Sequence, residues 1–263
     1  MNFLSGEFAL RETPIHRQGF IDAFGDKMQV RSDLRFDRDL IILAFTNRSG
    51  SNHLAELMRQ SKKVCAIHED LNQDQVQRVM QDDRLQDISD FFVEIVERGG
   101  EPDAAFGVKA SAEQIRILHE TGFVKCFNSV KTIRIRRRDR ISQAVSLFVA
   151  RRTRQWTASM SSVDACLSYD FDTLRKALHD IQAMESALDL LLGALQLPVV
   201  DVFYEDLCDD RGRELRRISD FLGVEIPFAE PTLMKKQATR VKDDLSDALR
   251  AQLLENWGLK RKI

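Results

Sequence analysis

Six consecutive apolar residues, Leu40-Ile41-Ile42-Leu43-Ala44-Phe45, constrain this chain more than any other feature. An unbroken apolar run of strand length predicts a strand buried on both faces, the environment of a parallel sheet flanked by helices. The run gives way to Thr46-Asn47-Arg48-Ser49-Gly50-Ser51, in which every residue suits a turn. Leu54, Leu57 and Met58 then recur at helical spacing. The predicted order is strand, short loop, helix.

The same alternation continues along the chain. Phe106-Gly107-Val108 is a second apolar run, a helical stretch follows from Ser111 to Glu120, and another strand is expected around Thr132-Ile133-Arg134-Ile135. Ile141, Val145, Phe148 and Val149 share one helical face, and Leu174, Leu178, Ile181, Leu188, Leu191 and Leu195 mark a longer helix. Val199-Val200-Asp201-Val202-Phe203 reads as the last strand, and Leu215, Ile218, Phe221 and Leu222 as an amphipathic helix stopped by Gly223. Strands alternating with helices imply an α/β fold with a mostly parallel central sheet and helices on both faces. One domain is expected over the 263 residues. Residues 1–37, with Phe3, Phe8, Phe20, Phe24 and Phe36 scattered among polar residues, yield no regular pattern.

Hydrophobic residues at 43% and charged residues at 30%, with no Pro/Gly/Ser tract, favour a compact chain over a disordered one. A net charge of −2 argues against a nucleic-acid partner, because proteins that bind the phosphate backbone carry a strongly basic face. Any anion site must be local. No apolar run approaches the roughly 20 residues of a membrane helix. The stretch Met1 to Ala9 has no basic n-region and carries Glu7. No transmembrane segment, no signal peptide and a cytoplasmic location are therefore expected. Cys65, Cys126, Cys166 and Cys208 form neither a C-x-x-C pair nor a zinc pattern and read as reduced, mostly buried thiols.

A Gly/Ser-rich turn between a buried strand and a helix aims successive backbone N–H groups and the positive end of the helix dipole at one point, where an anion fits. Ser49 and Ser51 add hydroxyl donors, Gly50 lets the backbone come close, and Arg48 supplies fixed positive charge. An ordinary turn with a solvated arginine is the plain alternative. A nucleotide kinase would need Gly-x-x-x-x-Gly-Lys-Ser/Thr, whereas Gly50 is followed by Ser51-Asn52 with no lysine. Further on, Arg134-Ile135-Arg136-Arg137-Arg138-Asp139-Arg140 places a basic cluster at a strand's C-terminal end, where ligand crevices form in open α/β sheets. Arginine suits a phosphate there because its planar fork donates two parallel hydrogen bonds.

These residues resemble a family. Arg48-Ser49-Gly50-Ser51 after a strand is similar to the phosphosulfate-binding loop of sulfotransferases, especially the bacterial group containing trehalose sulfotransferase and the nodulation and lipopolysaccharide sulfotransferases. Arg137-Arg138-Asp139 through Gln143-Ala144-Val145-Ser146 to Gln155-Trp156 resembles that group's signature for the donor's 3′-phosphate. Gly107-Val108-Lys109 with Gln114, and Tyr204-Glu205-Asp206-Leu207 ahead of Phe221-Leu222-Gly223, look like further landmarks. Lys236-Gln237-Ala238 resembles a segment with arginine before glutamine, and the lysine keeps the charge while losing bidentate geometry.

The resemblance implies a P-loop-like sulfotransferase fold. It also implies 3′-phosphoadenosine 5′-phosphosulfate (PAPS) as donor, a carbohydrate or glycolipid acceptor, no metal, and a homodimer as one possible assembly. The donor contacts it implies are Arg48, Ser49, Gly50, Ser51, Asn52, Arg137, Arg138, Ser146 and Lys236, and spacing does not separate Arg137 from Arg138 at the 3′-phosphate. Glu69 and Arg48 are the expected catalytic residues. Glu69 matches the spacing of the general-base glutamate in trehalose sulfotransferase, with His68 and Asp70 as alternative bases. Lys109 stands either beside the transferring group or in an ordinary ion pair, and His53 is expected to face solvent. A non-catalytic nucleotide-binding module on the same fold is the other reading, and Glu69 is the residue that speaks against it.

Overall fold

The computed structural model describes residues 15–25, 27–81, 85–101, 103–156, 169–226 and 244–258. Its elements are α1 (Ile15–Phe24), β1 (Leu40–Phe45), α2 (Ser51–Arg59), β2 (Val64–His68), α3 (Gln73–Val79), α4 (Ile88–Arg98), β3 (Ala105–Ala110), α5 (Ala112–Glu120), β4 (Val130–Arg136), α6 (Arg140–Thr153), α7 (Phe171–Leu195), β5 (Val199–Phe203), α8 (Tyr204–Asp209), α9 (Arg211–Leu222) and α10 (Asp244–Asn256). Among the described residues five strands form one sheet in the order β2-β3-β1-β4-β5, and every pairing is parallel.

The apolar run at 40–45 is β1, buried along its whole length because successive side chains feed opposite cores. Leu40, Ile42 and Ala44 join a cluster with Phe20 of α1, Phe91 and Phe92 of α4 and Leu118 of α5. Ile41, Leu43 and Phe45 pack with Leu54 and Met58 of α2 and with Ile218 and Leu222 of α9. Each such side chain contributes about 1.5–3 kcal/mol when removed from water. A third cluster joins α6, α7 and α10 through Phe148, Ile181, Leu249 and Leu253. The long helix α7 belongs to two clusters, since its last turns, with Leu188 and Leu192, reach the first core. Helices therefore cover both faces of the sheet.

Of residues 1–37, the described part, 15–25 and 27–37, is less irregular than its sequence suggests. Phe20 and Phe24 lie on α1 and meet Phe91 with ring centroids 5.5 and 5.7 Å apart, and Phe36 forms a bridge with Phe127. Ser111 is the N-cap of α5, not its first residue, and closes a capping box with Gln114. Cys65 and Cys126 are buried but Cys208 is exposed, and Cys166 lies outside the described residues. No described helix is long and apolar enough to cross a membrane.

The strand order fixes where a ligand can sit. From β1 the chain crosses to β2 on one side, and from β4 it crosses to β5 on the other. The crevice beyond the C-terminal ends of β1 and β4 is the switch point of this sheet, the usual ligand position in open α/β folds.

Candidate active site

The loop following β1 opens into that crevice. Arg48 and Gly50 both adopt left-handed backbone, with φ of 62° and 95°, which turns the intervening amides inward at the start of α2. Gly50 is required for a second reason: a Cβ there would stand 2.3 Å from the Tyr204 ring. Ser49 is fully buried, and its hydroxyl has no hydrogen-bond partner in the described structure. Such an orphan in an anion-shaped turn fits a missing acceptor. Arg48 Nε donates to Ser146 Oγ on α6 at 2.8 Å, and its Nη1 donates to the Trp156 carbonyl at 2.5 Å. Burial and then the neighbouring Arg137 charge push Arg48 below the usual arginine range.

The arginine cluster is sorted by its partners. Arg134 binds Glu185, at 3.1 Å, and Asp189. Arg136 and Arg140 also reach Glu185, at 3.3 and 2.8 Å. Arg138 makes a bidentate pair with Asp206, at 2.5 and 2.7 Å, and its side chain is half exposed. Arg137 is buried, lies 5.4 Å from the Tyr204 ring centroid and 4.0 Å from Glu205, and faces Arg48. The stretch Tyr204-Glu205-Asp206 thus has three tasks: Tyr204 packs between Gly50 and Arg137, Glu205 accepts the backbone N–H groups of Arg138 and Asp139, and Asp206 takes Arg138. Of the two arginines that spacing left equivalent, Arg137 is buried with its charge felt at Arg48, whereas Arg138 is half exposed and paired with Asp206.

On the other side of the loop, Lys109 of β3 links Asn52 to Glu69. Its Nζ donates to Asn52 Oδ1 and lies 2.5 Å from Glu69 Oε1 and 4.9 Å above the Phe45 ring. Burial lowers the Lys109 pKa, and Glu69 partly restores it. The cation missing from the loop's sequence therefore arrives from a neighbouring strand. Glu69 follows an irregular end of β2, where Ala66 and Ile67 take φ of 62° and 53° and the register with β3 shifts. Left-handed backbone at a β-branched residue is strained, and such strain gathers at functional positions. Gly107 makes room for it, because a Cβ there would stand 2.2 Å from Ile67 Cγ1.

The Glu69 side chain remains 40% exposed and borders a cleft of about 490 Å³ whose walls include His68, Asp70, Gln75, Arg78 and Arg98. Asp70 is buried in that wall, 3.4 Å from Arg98, and desolvation raises its pKa. His53, in the first turn of α2, is half buried rather than solvated, and burial lowers its pKa. Lys236 lies outside the described residues. Among the described residues no three His, Cys, Asp or Glu side chains are grouped to hold a metal.

Sequence reasoning missed the scaffold behind the loop. Gln143, fully buried on α6, donates to Thr46 Oγ1 at 3.0 Å and to the Asn47 carbonyl at 2.8 Å, and Thr46 Oγ1 donates to Glu185 Oε1 at 2.8 Å. Glu185 was legible as a charge on an apolar stripe, four residues after Ile181 and three before Leu188.

The wholly parallel sheet with an anion-shaped loop at its switch point is that of a P-loop-like α/β protein. The model of the Stf0 sulphotransferase family matches residues 40–252, and the chain belongs to that family. The sulfotransferase domain of the Synechococcus PCC 7002 olefin synthase is similar in fold, with 17% identity and a TM-score of 0.51 over 88% of this chain and 98% of that one. A sulfotransferase from Alicyclobacillus acidocaldarius aligns over 84% of this chain and 94% of that one, at 14% identity and a TM-score of 0.49. Comparison with curated proteins gives no match.

Proposed function

We propose that the chain, as a single domain, transfers a sulfuryl group from PAPS to a hydroxyl group of a carbohydrate or glycolipid. The observation that best supports this reading is the pair of charged stations flanking the loop: Arg48, Arg137 and Ser146 on one side, Lys109, Asn52 and Glu69 on the other. The first station suits a phosphate dianion, since two guanidinium groups and a hydroxyl converge beside the loop. There Arg48, Arg137 and Ser146 would hold the donor's 3′-phosphate, while the amides and hydroxyls of Ser49, Gly50 and Ser51 receive the phosphosulfate. The donor supplies the sulfuryl group and leaves as adenosine 3′,5′-bisphosphate.

In this reading Glu69 accepts the acceptor's hydroxyl proton as the acceptor oxygen bonds to sulfur and the bond from sulfur to the phosphate oxygen breaks. Lys109 carries positive charge toward the sulfuryl oxygens, and its burial makes that charge act through a low dielectric. The cleft beside Glu69, walled by charged and amide side chains, suits a hydroxyl-rich acceptor.

Transfer of labelled sulfate from PAPS to a panel of disaccharides and bacterial glycolipids, read by mass spectrometry, tests the reading. Glu69→Gln should keep bisphosphate affinity while turnover falls by ~10²–10⁴-fold. Equal turnover in the two proteins would move the base role to His68 or Asp70. A parent protein that binds PAPS tightly and sulfates nothing would favour a binding module.

A further inference from the structure

Glu185 is 6% exposed, sits on α7 far from the loop in sequence, and touches four groups. It accepts from Thr46 Oγ1 at 2.8 Å and pairs with Arg140, Arg134 and Arg136 at 2.8, 3.1 and 3.3 Å. Burial raises the Glu185 pKa, but Arg140, Thr46 and Arg134 outweigh it and hold the carboxylate below its ordinary range. Thr46 is the residue at which β1 turns into the anion loop. Arg140 opens α6, and Gln143, one turn on, ties α6 back to Thr46 and Asn47.

We propose that Glu185 is a positioning residue of the donor site: it sets the spacing between the anion loop and α6, and so the spacing between Arg48 and Ser146. The inference rests on the donor site proposed above. A 5′-phosphate needs only the loop's own amides and hydroxyls. The 3′-phosphate needs Arg48 from the loop and Ser146 from α6 at one separation, and the Glu185, Thr46 and Gln143 network ties those two segments together. A second consequence is electrostatic, because Glu185 absorbs three of the arginines in the 134–140 cluster. Positive charge at the crevice is thereby concentrated on Arg48 and Arg137 instead of being spread over the whole cluster.

The test compares binding of adenosine 3′,5′-bisphosphate and of 5′-AMP by calorimetry in the parent chain, Glu185→Gln and Thr46→Val, with thermal unfolding recorded alongside. Glu185→Gln should weaken bisphosphate binding tenfold or more and AMP binding by much less, so that selectivity for the 3′-phosphate falls. Thr46→Val leaves the arginine pairs intact and should shift selectivity in the same direction by a smaller factor. Equal losses for both ligands would mean general destabilisation and would overturn the proposal, as would unchanged selectivity in folded Glu185→Gln. Should Glu185→Gln fail to fold, Thr46→Val decides alone, and unchanged selectivity in it overturns the proposal. A parent chain that binds neither nucleotide removes the donor-site reading itself, an outcome separate from a parent that discriminates and variants that discriminate equally well.

Discussion

Arg137 and Arg138 are adjacent, chemically identical and opposite in circumstance. Arg138 spends its fork on Asp206 in a half-exposed pair, the kind of solvent-screened surface contact that contributes little. Arg138→Ala should therefore leave bisphosphate affinity within about twofold of the parent, whereas Arg137→Ala and Arg48→Ala should each cost tenfold or more, as charge-assisted hydrogen bonds of roughly 1.5–3 kcal/mol imply. Calorimetric titration of the three variants separates them, and a large loss in Arg138→Ala alone would reverse the assignment. The turn from Arg48 to Ser51 was readable between strand and helix because its residues are contiguous and their chemistry is local. The different surroundings of the two arginines were not, because the partner of Arg138 is Asp206, 68 residues away. Lys109 was open for the same reason: its partners come from the first turn of α2 and from the end of β2.

At the scale of elements, strands with continuous apolar runs and helices with clean stripes were legible, as β1, β4, β5, α6 and α9 demonstrate. The stretch from β2 to α4 was not. Strand β2 has only five residues, two of them in left-handed backbone, so its sequence carries neither length nor alternation. Helix α1 was hidden because its buried side chains, Phe20 and Phe24, are spaced among polar residues that gave no sustained periodicity. The irregular end of β2 leaves no room for a side chain at Gly107 on β3. Gly107→Ala inserts a methyl group against Ile67, an overpacking that typically costs about 1–3 kcal/mol. Because the displaced residues lead directly to Glu69 and not to the anion loop, turnover should fall further than bisphosphate affinity. Parallel measurements of sulfate transfer and bisphosphate binding check this, and a variant that loses affinity first would detach β2 from the reaction.

For the molecule as a whole, stability should depend on pH through its half-buried histidines. Burial lowers the pKa of His53 and His119 below the ordinary value of 6.5, reinforced by Arg211 and Lys125 respectively. As pH falls past 6.5 the unfolded chain takes up protons that the folded chain still refuses, so stability declines with acidification in that window. The unfolding free energy measured between pH 8 and pH 5 should fall with a slope of at most about two protons from this pair, thermal midpoints should fall with it, and His119→Asn should flatten the trend. A midpoint that rises over the same range would contradict the assignment. The switch point between β1 and β4 has one more consequence. Arg48 and Ser146 are 98 residues apart, on segments that leave the sheet in opposite directions. During synthesis, which delivers the N-terminal part first, the anion loop emerges long before its counterpart on α6 exists. On the proposed donor site, a nascent or truncated chain ending before α6 would lack the Arg48 and Ser146 pair that selects the 3′-phosphate, so donor recognition would be acquired only once α6 has docked beside the loop.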